Sequence, residues 1–249
     1  MQENQDLTFL TTTILQKMRA VLINTRPSLI LVQGDTTTAF AATLASFYAQ
    51  IPVGHVEAGL RSGNIKSPFP EEFNRACITK MASIHFTPTA QSTANLLAEK
   101  VNRESIFRTG NTVVDSLFLI KEKLKREPDI INNSLKLKIN ECNKLNRKIV
   151  LLTTHRRESF DGGITSILRS VKKFAQAHPD VHIFYPIHPN PHVTKAIEIA
   201  EIATIDNIQL LQPLLYHELV FLLTACSWVI TDSGGIQEEA VSLGKQTLS

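Results

Sequence analysis

Short, almost wholly apolar runs recur along the chain, each followed by a stretch of helical spacing. SLILV (28–32), PVGHV (52–56), IHFT (84–87) and SIFR (105–108) read as strands in the first half. IVLLTT (149–154), VHIFYP (181–186), IQLL (208–211) and WVIT (228–231) do so in the second. Runs apolar on both faces belong to parallel strands buried on both sides. Parallel neighbours need a crossover long enough to hold a helix, so β-α-β-α order constrains the chain to doubly wound α/β sheets. The intervening segments supply those helices: 7–25, 39–48, a short one at 76–82, 89–102 with Thr89 as N-cap, and 113–125. After the interruption come 164–178, 192–203, 216–225 and 236–243.

That interruption runs from Lys121 to Lys148, is rich in Lys, Asn and Glu, contains Pro128 and carries few large apolar residues. It divides the chain into a domain at 1–125, a connector at 126–147 and a domain at 148–249, each Rossmann-like. The chain opens on a helix and ends on GKQTLS, a turn entering another strand. Both domains are therefore expected to be incomplete parts of a longer chain, which alone would be poorly stable and nearly inactive if the lacking strand is central to its sheet.

Composition narrows the function. With 43% hydrophobic and 20% charged residues among 249, the chain is globular. A net charge of +3 with scattered Lys and Arg argues against nucleic acid and leaves room for an anionic small molecule. Cys77, Cys142 and Cys226 lack C-x-x-C spacing and read as structural thiols of a reducing compartment. No apolar run spans a bilayer and no leader pattern begins the chain, so the expectation is a cytoplasmic protein without a membrane partner.

Chemistry gathers where strands end. VGHVEAGLRSGNIKSPFPEEFNR (53–75) leaves a strand into a Gly- and Pro-rich loop bearing His55, Glu57, Arg61, Glu71, Glu72 and Arg75. Solvated surface charges would look the same; so would the acid/base groups of an open α/β sheet. In GDTTT (34–38) Asp35 either caps the next helix or faces the cleft, and the backbone N–H groups there suit an anion. THRRESF (154–160) sets His155 beside Arg156 and Arg157, two guanidiniums suited to a diphosphate. His188 in HPNP (188–191) is a second strand-end imidazole, explained equally well by local hydrogen bonds. In TDSGGIQEE (231–239), Ser233, Gly234 and Gly235 offer free N–H groups to phosphate, and Glu239 is placed for ribose hydroxyls. No G-x-G-x-x-G or Walker lysine motif occurs, which weakens NAD and ATP.

Together GDTTT (34–38), GHVEAGLRSG (54–63), SPFPEEFNR (67–75), TGNTVVD (109–115), THRRESF (154–160), YPIHPNP (185–191), TDSGGIQEEA (231–240) and SLGK (242–245) resemble the non-hydrolysing UDP-N-acetylglucosamine 2-epimerases. The resemblance covers essentially the whole chain. It implies two Rossmann-like domains in the GT-B arrangement with a UDP-sugar between them, no metal or nicotinamide cofactor, and a homodimer supplying cell-envelope polysaccharides. It further implies inversion at C2 of UDP-GlcNAc to UDP-ManNAc, by elimination of UDP to a 2-acetamidoglucal and re-addition. Asp35, Glu57 and Glu71 become the acid/base set, with Asp35, Glu57 and Arg75 also against substrate. His155 and Arg156 take the diphosphate side, Ser233, Gly234 and Gly235 the phosphate, Glu239 the ribose and Leu214 the uracil. Glu71, Arg156 and His188 match an activating UDP-GlcNAc site of some members. Leu219 stands where the family commonly has Phe, and the family's N-terminal Gly-Thr-Arg-Pro-Glu loop and C-terminal crossing helix are absent. A hydrolysing 2-epimerase, a GT-B glycosyltransferase and an inactive nucleotide-sugar-binding fragment are the alternatives.

Overall fold

The computed structural model describes residues 6–154 and 163–249, which form two compact units, 1–111 and 112–249. The first contains α1 (Leu7–Thr25), β1 (Ile30–Gln33), α2 (Thr37–Tyr48), β2 (Val53–Val56), α3 (Glu71–Met81), β3 (Ile84–Thr87), α4 (Ala90–Ala98) and β4 (Ile106–Arg108). Its strands are parallel and stand in chain order, β1-β2-β3-β4. Right-handed crossovers stepping one way put their helices on one face. On that face Val32 and Val53 meet Ala39, Ala42 and Ile78. The small residues of α2 let its axis approach the sheet, and Ala41 is fully buried. The other face carries Leu31, 62% exposed, and Phe107. Thr89 caps α4 by accepting from the Ser92 N–H.

The helix expected at 76–82 begins five residues earlier, at Glu71. Pro70 occupies the N-cap position, and Glu71 and Glu72 face the positive end of the helix dipole. Glu71, Glu72 and Arg75 therefore ride on α3 rather than on the preceding loop.

The second unit contains α5 (Thr112–Arg126), α6 (Asn133–Lys144), β5 (Lys148–Thr153), α7 (Gly163–Ala177), β6 (Val181–Pro186), α8 (Pro191–Ala200), β7 (Ile208–Leu211), α9 (Tyr216–Ala225), β8 (Trp228–Thr231), α10 (Gly234–Ser242) and β9 (Gln246–Leu248). The parallel order is β7-β6-β5-β8-β9, so the winding reverses at β5. Successive β5 side chains serve two cores. Val150 and Leu152 pack with Leu168, Ile183 and Tyr185, while Ile149 and Leu151 pack with Phe184, Leu222 and Val229. The gap between the carboxyl ends of β5 and β8 is the topological switch point, where open α/β sheets bind ligands. There Thr153 and Thr231 are register partners and share a hydroxyl–hydroxyl hydrogen bond.

The stretch 126–147, read as a connector, holds α6, and both α5 and α6 go with the second unit. The reason is an apolar stripe in a polar helix: Leu135, Ile139 and Cys142 lie on one face and are buried against Ile149, Leu222 and Leu223. Among the described residues no helix is long and apolar enough to cross a membrane.

Ile139→Ala should therefore destabilise the second unit by about 2–5 kcal/mol, as cavity-forming core substitutions do. Denaturant unfolding followed by the fluorescence of Trp228, the only tryptophan, reads this directly. A change within about 0.5 kcal/mol, the surface value, would return the segment to a connector.

Candidate active site

At the carboxyl ends of β1 and β2 the first unit assembles a carboxylate cluster. After β1 the chain turns at Gly34, whose φ of +69° lies in the left-handed region that glycine adopts without strain. Its N–H still donates to the Val56 carbonyl at 3.0 Å, holding the two strand ends together. A Cβ at Gly34 would stand 3.3 Å from Oε2 of Glu57, so the Glu57 carboxylate lies over this turn. Glu57 itself has φ +69°, which for a side-chain-bearing residue costs on the order of 1–3 kcal/mol.

The cap of α2 is Thr36, whose Oγ1 accepts the Ala39 N–H at 3.2 Å. This settles the two readings of Asp35: it is not the cap. Arg75, one turn into α3, brings Nη2 to 2.7 Å from Asp35 Oδ2 and Nε to 3.5 Å from Glu72 Oε2. Glu72 is buried and also accepts the Ser62 N–H at 3.0 Å, which ties the intervening loop to α3. Burial raises the Asp35 carboxyl above its ordinary value of 3.8; the Arg75 guanidinium pulls it down, and the charges of Glu71 and Glu72 push it up again. Asp35, Glu57, Glu71, Glu72 and Arg75 are thus brought to one place. Arg61 is not among them. Its guanidinium grips Glu99, the Thr79 hydroxyl and its neighbour's carbonyl, fastening the loop to the helical layer.

Two buried side chains that sequence reasoning missed complete the cluster. Asn74 Nδ2 donates to the Asp35 carbonyl at 2.9 Å, and His55 Nε2 lies 2.9 Å from the Gly34 carbonyl. A carbonyl only accepts, so Nε2 of His55 carries the proton.

In the second unit, α10 starts at Gly234 beside the switch point, and the Ser233 N–H donates to the Thr231 hydroxyl at 3.0 Å. A Cβ added at Gly234 or Gly235 would meet nothing within 4 Å, so the helix N-terminus has room in front of it. Glu239 is 3% exposed, accepts the Tyr216 hydroxyl at 2.7 Å, and is raised above its ordinary range by burial. Leu214 and Leu219 pack on the edge of the same core. His188 is exposed just past β6. His155 and Arg156 lie outside the described residues.

The sequence matches the family model for UDP-N-acetylglucosamine 2-epimerase over residues 1–249. The chain belongs to that family. It is 48% identical over 253 residues to the UDP-N-acetylglucosamine 2-epimerase of Campylobacter jejuni and 46% identical over 249 residues to that of Yersinia pestis. In both cases 100% of this chain is covered, and it spans 65% of the relative's length. The crystal structure of the Neisseria meningitidis UDP-GlcNAc 2-epimerase bound to UDP-GlcNAc superposes with a TM-score of 0.90 at 41% identity, over 100% of this chain and 66% of that one. The Methanocaldococcus jannaschii UDP-GlcNAc 2-epimerase, solved with UDP-GlcNAc and UDP, gives 0.79 at 30% identity over 98% and 66%.

Burial drives His55 from its ordinary 6.5 to about 4, against the Gly34 bond that favours the protonated ring. The unfolded chain therefore takes up this proton near pH 6.5 while the folded one waits until about pH 4, and stability is lost as pH falls through that window, by about 3 kcal/mol in all. Asp35 acts oppositely: its raised carboxyl favours the fold at low pH, and that contribution is lost as pH rises from 3.8 through its folded value. Hydrogen exchange of the Val53–Val56 amides should report a lower opening free energy at pH 4.5 than at pH 7.5. His55→Gln should flatten that difference, and an equal slope in the variant would contradict the assignment.

Proposed function

We propose that the protein interconverts UDP-N-acetylglucosamine and UDP-N-acetylmannosamine by inverting C2. The observation that carries this reading is the meeting of Asp35, Glu57 and Glu71 around Arg75 at the ends of β1 and β2. The hydrogen on C2 is weakly acidic, so removing it requires a placed base and a leaving group that departs in the same stage. One carboxylate takes the C2 proton as the C1–O bond to the diphosphate breaks, giving UDP and a 2-acetamidoglucal. UDP then adds back to C1 while a proton is delivered to the opposite face of C2. Atoms and charge balance without an outside reagent. A carboxyl raised by burial, as Asp35 is, holds and returns a proton nearer neutral pH than a solvated one.

Ser233, Gly234 and Gly235 receive the diphosphate at the α10 N-terminus, Glu239 the ribose, and Leu214 the side of the uracil. His155 and Arg156 are assigned by resemblance to the diphosphate, and Glu71, Arg156 and His188 to an activating UDP-GlcNAc site. The domains meet in the GT-B manner with the substrate between them, and the intact protein is a cytoplasmic homodimer in cell-envelope polysaccharide synthesis. Support comes from family membership and from the UDP-GlcNAc named in the two solved relatives. The relatives compared all carry the epimerase name, which gives no support to a glycosyltransferase or a hydrolysing enzyme.

Incubating the intact protein with UDP-GlcNAc in deuterated water tests the reaction. The expected result by NMR is UDP-ManNAc with deuterium at C2 of both epimers. Neither product nor label refutes it, and free ManNAc would assign the hydrolysing reaction. Glu239→Gln should weaken UDP binding about ten- to hundredfold by calorimetry, the value of a charged hydrogen-bond acceptor. Unchanged affinity would remove Glu239 from the nucleotide site.

A further inference from the structure

Gly34 and Asp35 are consecutive, and each carbonyl is held by a buried side chain from a different element. His55 of β2, fully buried, bonds the Gly34 oxygen at 2.9 Å; Asn74 of α3, 3% exposed, bonds the Asp35 oxygen at 2.9 Å. Those two oxygens belong to the two peptide planes on either side of the Asp35 Cα. With both planes fixed, φ and ψ of Asp35 are fixed, and so is the direction of its Cα–Cβ bond. Only the side-chain torsions remain, and Arg75 holds the carboxylate oxygen at 2.7 Å. The His55 bond also ties the Asp35 turn to the strand that ends in Glu57, whose carboxylate lies over Gly34. We propose that His55 and Asn74 are positioning residues that set the direction of Asp35 and its spacing from Glu57. The proposal deepens the C2-inversion reading and rests on it for its kinetic consequence.

Both side chains are too deeply buried to touch a substrate, which separates them from the acid/base set. The groups around His55 are His85, Arg61 and Arg75, all of which disfavour a charged ring, so near pH 7 the imidazole is neutral and serves as a fixed donor. Its Nδ1 is buried and has no hydrogen-bond partner. An imidazole satisfied at one nitrogen is a costly way to fill a core, and a leucine would fill it without the unmet acceptor. What leucine lacks is the bond to Gly34.

The test compares two polar replacements in the intact protein. Gln presents its Nε2 donor the same number of bonds from Cβ as the histidine Nε2; Asn presents its donor one bond short. His55→Asn and Asn74→Leu should lower kcat about tenfold to a hundredfold with KM within about threefold, as a misplaced catalytic group does. His55→Gln should restore kcat to within about threefold of the parent. A role confined to filling the core would move Asn and Gln alike. In parallel, carbon-13 NMR follows the Asp35 carboxyl: its titration midpoint should fall toward the ordinary value in His55→Asn, where the loosened turn admits water, and stay raised in His55→Gln. Equal kcat in His55→Asn and the parent, or equal losses in Asn and Gln, overturns the proposal. A parent protein that does not epimerise refutes the proposed reaction instead, and the Asp35 midpoint then decides the positioning role alone.

Discussion

Arg75 stands against two carboxylates at once, Asp35 Oδ2 at 2.7 Å and Glu72 Oε2 at 3.5 Å, and the architecture of the first unit follows from the need to place it there. Carboxylates withdrawn from water repel one another and protonate unless a cation lies among them. A guanidinium one turn into α3 answers that need, because the helix holds Glu71, Glu72 and Arg75 in fixed relation. The cation does not neutralise the cluster completely. Asp35 stays above the ordinary carboxylate range, since burial and two neighbouring acids outweigh one guanidinium. A proton carrier is best left in that state.

The second unit solves a different problem by the same topology. Strand order reverses at β5, and the crevice this opens lies next to the N-terminus of α10. Backbone N–H groups there are fixed by the helix and need no side chain to supply charge. Glu239, one turn further on, is kept in place by Tyr216, which spends its hydroxyl on the carboxylate. Acid/base groups in one unit and a polar anion cradle in the other give a division of labour: one moves a proton, the other receives a leaving group.

Much of the fold was legible because buried parallel strands are apolar on both faces; SLILV and IVLLTT could hardly be anything else. The failures have local causes. Glycines and prolines before Glu71 suggested a loop running to Arg75, whereas Pro70 opens a helix whose first turn is acidic. In α6 only three apolar residues, Leu135, Ile139 and Cys142, define the buried stripe, too few to stand out in a Lys- and Asn-rich stretch. Whether Asp35 or Thr36 capped α2 was undecidable in sequence, since either oxygen is chemically suited; the partner on α3 decides it. His55 and Asn74 gave no signal, because their value lies in carbonyls 21 and 39 residues away along the chain.

The account turns on one claim, that a carboxylate of the first unit removes the C2 proton while the bond from C1 to the diphosphate breaks. UDP-GlcNAc carrying oxygen-18 in the bridge between C1 and the β-phosphorus tests it. If that bond breaks, the freed β-phosphate can rotate before UDP re-adds, and the label spreads to its non-bridging oxygens. The expected result is spreading of the label in step with formation of UDP-ManNAc. Epimer formed with all of the label still in the bridge would contradict the account.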